Sequence, residues 1–222
     1  FRWAADGVIL VGTMLALALG VDHGRRSDPL AIETPALVLL ATSGMMLLVG
    51  ARDLVLVFLG IELMSIPTYV LAAINRRSGR SAEAGLKYFL LGAFSTAFLL
   101  YGVALTYGAT GATQLGEISA ALARGTGAPG VMLTAGVALM LIGFAFKVAA
   151  APFHMWTPDV YDGAPSPITA YMAAAVKTAA FVAFARVFAE AFGGVHTAWH
   201  PVLWWVAAIT MVLGNVVALA QR

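Results

Sequence analysis

The sequence predicts an all-α integral membrane protein: a polytopic bundle of about seven transmembrane helices, one of them broken. Three observations carry this expectation. Of 222 residues, 61% are hydrophobic and 11% charged, with a mean hydropathy of +0.88; soluble domains carry roughly 25% charged residues. Seven apolar runs approach the ~20 residues that a bilayer span requires. The fifth run is followed by PFHMWTPDVYDGAPSP, too polar for lipid and too aromatic for a solvated loop. Lipid satisfies no backbone group, and the runs are too long for barrel strands, so each is expected to be a helix.

The runs cover 3–20, 34–50, 53–74, 84–107, 130–151, 164–190 and 201–220. Trp3 at the start of the first, and Trp199, Trp204 and Trp205 around the last, read as an interface belt. Met45 and Met46 in the second run and Met64 in the third read as packing residues. The third run has Glu62 at its middle, with Ser65 and Tyr69 on the same helical face and Pro67 expected to loosen the ladder beyond. The fourth has Lys87 within about a turn of its start and Glu83 four residues before it, the favourable order for a surface ion pair. The fifth holds Lys147 shortly before Pro152, and Pro158, Pro165, Pro167 and Gly163 follow. Proline removes a donor and clashes with the preceding turn, so a break near Lys147–Pro152 is expected. At membrane depth, such backbone survives only inside protein or beside water, and broken helices mark binding sites in transporters. The sixth run centres on Lys177, with Ala170, Ala173, Ala174 and Ala180 offering a face for close helix approach.

Arginine orients the chain. Arg25, Arg26, Arg76, Arg77, Arg80 and Arg222 fall on one side, and Arg2, Arg52 and Arg124 on the other, which places the first group in the cytoplasm. The apolar runs leave no space for a large soluble domain, so a single membrane domain over 1–222 is expected. Phe1 is no start methionine and Arg222 directly follows an apolar run, which together suggest an internal piece of a longer protein.

Several functions are argued against. A net charge of +2, with no basic patch interleaved with aromatics, gives no basis for nucleic-acid binding. With no cysteine, the chain offers no disulfide, iron–sulfur cluster or thiolate metal site of its own. Neither GxGxxG nor GxxxxGK occurs, and no histidine pair has metal spacing. His196 and His200 read as solvated residues of an outside link, His23 as part of a basic link, and Asp159 and Asp162 as turn and cap residues.

The lysines are the strongest functional signal. There are only three, Lys87, Lys147 and Lys177, and each lies in an apolar stretch. A charge at the bilayer centre costs roughly 2.5–3.5 kcal/mol on insertion scales, so an ion or proton path is expected. Burial weakens a lysine's hold on its proton and a nearby carboxylate restores it. At about 7 Å and an effective dielectric near 20, that pair is worth about 2.4 kcal/mol. A carboxylate that moves, or a partner charge that changes, is thereby able to switch a buried lysine between holding and releasing a proton. Plainer readings stand beside these. Glu62 would fix helix packing, Lys147 and Lys177 would snorkel to an interface, and Lys87 would pair with Glu83. His154, with an ordinary pKa near 6.5, would relay protons or hydrogen-bond the backbone of the break.

Three stretches carry a family resemblance: ATSGMMLLVGARDLVLVFLGIELMSIPTYVLAA, GLKYFLLGAFSTAFLLYG and FKVAAAPFHMWTPDVYDGAPSPITAYMAAAVKTAAF. They resemble the antiporter-like membrane subunits of NADH-quinone oxidoreductase, respiratory complex I. Sister subunits and the related cation/proton antiporters read closer to H-x-W-L-P-D-A-H-x-x-A-P; the TPDVY wording resembles the N type. The resemblance implies about fourteen helices in two inverted five-helix repeats, each with a broken helix. This chain would be the third to ninth helices, with the first antiporter-like repeat at 34–190. Glu62, Lys87, Lys147, His154 and Lys177 match the family's proton-path positions in residue type. The resemblance further implies a non-redox part of a proton translocase, with no catalytic centre of its own. NADH, flavin, iron–sulfur clusters and quinone would belong to other subunits. The expected partners are an M-type neighbour, a small K-type subunit and the lipid of a bacterial plasma (inner) membrane. The rival readings are a subunit of a multi-subunit cation/proton antiporter and a purely structural membrane subunit.

Overall fold

Two glycines, Gly44 and Gly60, set a close contact between two helices. A computed structural model describes residues 2–26, 32–125 and 130–220. The side chains of His23, Arg25, Arg26 and Arg222 lie outside the described part. The described residues form helices joined by turns and short links, with six helices long and apolar enough to cross a membrane and a shorter apolar one at Thr34–Gly50. These seven match the seven predicted runs. The chain divides into two units, Phe1–Phe94 with Trp156–Ala185, and Ser95–Met155 with Arg186–Arg222.

The first unit holds α1 (Arg2–Arg26), α2 (Thr34–Gly50), α3 (Leu54–Ala72) and the first half of α4 (Gly79–Thr110). Pro35 starts α2, where its missing donor costs nothing. Asp53 caps α3 by accepting from the Val55 N–H at 2.8 Å. Across the short Ala51–Asp53 link the two helices run antiparallel. A Cβ on Gly44 would meet Met64 backbone closer than any real contact, and one on Gly60 would sit 2.9 Å from the Leu48 Cα. Glycine is what permits this approach in a chain with no hydrophobic drive between helices. α3 passes Pro67 without ending. Ser65 and Thr68 donate to the carbonyls of Ile61 and Ser65, so polar side chains there serve their own helix. Thr13, Thr42 and Tyr171 form a buried hydroxyl chain, at 2.9 Å and 2.7 Å, that ties α1, α2 and α8 together.

The remaining elements of the first unit are α7 (Thr157–Gly163), α8 (Ser166–Tyr171) and most of α9 (Lys177–Arg186). A π-helical turn, Met172–Val176, joins α8 to α9. A π turn holds an extra residue, so α-helical spacing does not carry across it. Ala170, Ala173 and Ala174 are exposed as a result, and Ala175 is the residue that meets α1, 3.3 Å from the Cβ position of Gly12.

The second unit holds the rest of α4, α5 (Leu115–Ala123), α6 (Val131–Val148), a second π turn at Val187–Ala191 and α10 (His196–Ala220). Gly102 and Gly136 let α4 and α6 approach to backbone contact. α5 was not expected. Its nine residues are too short to span, so they read as a link, yet Leu115, Ile118 and Ala121 are buried and the helix packs on the second π turn. α10 begins at His196, five residues earlier than expected and with Pro201 inside it. His196 and His200 are therefore helical rather than in a link, though both are exposed as expected.

The fifth span breaks where the sequence predicts. α6 ends at Val148, and Ala149 takes the left-handed conformation at φ 58°. The Ala149 N–H bonds the Phe146 carbonyl at 3.0 Å and the Ala150 N–H bonds Ala145 at 2.8 Å. These two bonds make a Schellman motif, with alanine where glycine is usual. Helix resumes only at Thr157.

Candidate functional site

In the second unit, α6 delivers Lys147 to its last turn, one residue before the helix ends. Free carbonyls at a helix C-terminus favour a cation. Lys147 is 5% exposed, and its ammonium lies 5.8 Å from the Phe146 ring centroid. Surface snorkelling is thus not its conformation. The break that follows is held by α10, where the Thr210 hydroxyl accepts from the Ala151 N–H at 2.9 Å. His154 lies in this break, part-buried, and its Nδ1 is buried with no hydrogen-bond partner. An apolar cavity of about 350 Å³ also lies in this unit, lined by residues such as Leu133, Val137, Leu141, Phe153 and Val202. It offers no ionisable group to a path.

Glu62, Lys87 and Lys177 belong to the first unit. Glu62 sits mid-span on α3, part-buried, and its Oε1 is buried without a hydrogen-bond partner. Ser65 and Tyr69 share its face, and each has contacts beyond it. Ser65 bonds its own helix, and the Tyr69 ring lies edge-on to Tyr88 at 4.7 Å. Lys177 opens α9 directly after the π turn and is part-buried. Its ammonium sits 4.8 Å from the Trp156 ring centroid.

Lys87 makes two ion pairs. It reaches Glu83 at 2.7 Å, as the helix spacing predicts, and Asp159 at 2.5 Å. Arg80, seven residues earlier on α4, faces Asp162 at 3.8 Å. The two aspartates are therefore not merely turn and cap residues; they join α7 to α4. Gly163 lies between Ala84 and the Arg80 carbonyl, too tight for any side chain. The Tyr161 hydroxyl on α7 is buried and unpartnered, and burial pushes its phenol up to about 12.

Sequence reasoning missed Trp156. The ring is 3% exposed and stacks on Tyr88 at 4.6 Å with an interplanar angle of 9°. It stands in the polar segment, outside the tryptophans assigned to the interface. Among those, Trp3, Trp204 and Trp205 are exposed, but Trp199 is part-buried and donates to the Phe192 carbonyl at 3.0 Å. Met45 and Met64 are buried, while Met46 is 36% exposed. Among the described residues, no group of His, Asp and Glu is arranged to hold a metal ion.

Comparison with known proteins gives a consistent neighbourhood. The family described as NADH:quinone oxidoreductase/Mrp antiporter, TM, matches residues 51–222. NADH-quinone oxidoreductase subunit N of Gemmatimonas aurantiaca is 61% identical over 100% of this chain and 42% of its own length. The subunit N of Maricaulis maris is 52% identical over 100% of this chain and 45% of its own. Among solved structures, a chain of respiratory complex I from Thermus thermophilus with bound aureothin aligns with a TM-score of 0.81 at 41% identity, covering 100% of this chain and 45% of that one. A chain of the Mrp complex from a Dietzia species aligns with a TM-score of 0.72 at 27% identity, covering 85% and 35%. The chain thus spans under half the length of the relatives it matches.

Proposed function

This chain belongs to the NADH:quinone oxidoreductase/Mrp antiporter family of membrane proteins, and from that premise we propose that it forms the first antiporter-like repeat, at 34–190, of a proton-translocating N-type subunit of NADH-quinone oxidoreductase. The observation that carries the reading is Lys147, a lysine 5% exposed at the end of a broken apolar helix. Desolvating a charged group within an apolar span is costly, which makes such a residue a functional candidate.

Each ionisable residue then takes a role. Lys147 exchanges protons with the cytoplasmic side, assisted by His154. Lys177 passes charge on toward the middle of the complete subunit. Glu62 biases the lysines by its charge and couples to an adjacent subunit, and Lys87 is a secondary member. Moving one charge against 100 mV costs about 2.3 kcal/mol. That energy comes from quinone reduction in other subunits, which hold the NADH, flavin, iron–sulfur and quinone sites; this chain contributes no redox centre. Its partners are an M-type neighbour and a small K-type subunit in a bacterial plasma membrane.

An Mrp-type cation/proton antiporter subunit is the second reading, supported by the shared fold. Higher identity to the complex I chain and the TPDVY wording support the first. A purely structural role is the third. The test places substitutions in the full-length subunit of assembled complex in sealed vesicles and follows NADH-driven acidification. Acidification that needs no sodium and is lost with Lys177→Met supports the proposal. NADH-independent, sodium-dependent exchange would favour the antiporter, and unimpaired acidification the structural role.

A further inference from the structure

We infer that Trp156 is a positioning residue for Lys177, holding its ammonium against the indole face through cation–π attraction. The inference rests on the proton-path reading of Lys177. A cation within about 6 Å of a ring centroid is attracted by the ring's quadrupole, and tryptophan is the strongest such ring. Lys177 Nζ lies 4.8 Å from the Trp156 centroid. The attraction grows when both groups are desolvated, and Trp156 is 3% exposed.

The ring is fixed from two helices. Tyr88 on α4 stacks flat against it at 4.6 Å, and Tyr161 on α7 meets it edge-on at 6.1 Å. Trp156 precedes the first turn of α7, where its carbonyl accepts from the Val160 N–H at 3.1 Å. α7 is itself seated on α4 by the Gly163 contact and by the Lys87–Asp159 and Arg80–Asp162 pairs. Lys177 reaches this platform from the start of α9, directly after the π turn. The indole therefore has a set position independent of the lysine. A ring chosen only to fill space would not need to be the aromatic with the most negative face.

The test replaces Trp156, in the full-length subunit of assembled complex, with tryptophans carrying one to four ring fluorines. Fluorination drains the negative face while nearly keeping the shape. Acidification by sealed vesicles is read together with complex content and NADH oxidation by uncoupled vesicles. The expected result is a graded fall in acidification, about threefold or more by the tetrafluoro ring, with complex content and uncoupled oxidation unchanged. Trp156→Phe is expected to retain more than Trp156→Leu. Acidification indifferent to fluorine number overturns the inference, as does a fall that merely tracks loss of complex. Lys177→Met is run beside the series. If it acidifies normally, the proton-path reading fails; if it is inactive while the fluorine series is flat, only the Trp156 inference fails.

Discussion

Lys87 and Asp159 stand 2.5 Å apart, joining the start of α4 to the short helix that follows the break. Glu83 shares the same ammonium at 2.7 Å. Both carboxylates are more than half exposed, so the contact is salt-sensitive. Its worth lies in placing α7. Asp159→Asn is expected to lower acidification by sealed vesicles only partly, with the deficit growing at high ionic strength. The charge swap Lys87→Asp with Asp159→Lys should recover part of what either single change loses. A Lys87→Met variant as inactive as a Lys147 variant would mean that Lys87 carries the proton itself.

Thr42 is the centre of the buried hydroxyl chain, between Thr13 and Tyr171. Thr42→Val keeps the shape but takes one partner from each of two buried hydroxyls, which keep their bonds to the Ile9 and Val38 carbonyls, at a cost of about 0.5–1.5 kcal/mol per lost bond. Thermal unfolding of the purified complete subunit should show a lower Tm for Thr42→Val. Thr42→Ser should lie close to the original.

Ala149 ends α6 at φ 58°, where an L-residue with a Cβ pays roughly 1–2 kcal/mol. Ala149→Gly should hold or raise the Tm, because the Schellman bonds need no side chain. Ala149→Val adds a branched Cβ at the same dihedral and should lower it clearly.

Tyr161 has a buried phenol pushed up to about 12 from the usual 10. Its neutral form is favoured in the folded state. Its contribution is therefore complete below pH ~10 and is lost as pH rises toward ~12, where the unfolded chain ionises first. The difference in Tm between the original protein and Tyr161→Phe should shift in favour of the variant across that window. A constant difference from pH 8 to 12 would count against burial as the cause.

The spans were legible because their signal is composition over ~20 residues. The break was legible because Pro152, Pro158, Pro165 and Pro167 cluster there, each removing a backbone donor. α5 was not, since nine residues cannot reach across a bilayer and its buried face appears only once the second π turn packs on it. The two π turns leave no mark in a spacing argument, and the first of them is why Ala175, rather than Ala173 or Ala174, meets α1. At the site, Lys87–Glu83 was visible as local helix spacing. Lys87–Asp159 joins residues 72 apart, and nothing in the sequence pairs them. Trp156 was hidden in a motif read for its prolines and histidine, and its value lies in what stacks on it.

The most direct test of the account is the proton-to-electron ratio of assembled complex in sealed vesicles when the full-length subunit carries Lys147→Met. That change removes the charge and preserves the apolar stem. The account predicts a ratio lowered by this subunit's share or lost entirely, with NADH oxidation by uncoupled vesicles and complex content retained. An unchanged ratio, with the complex fully assembled, would contradict it.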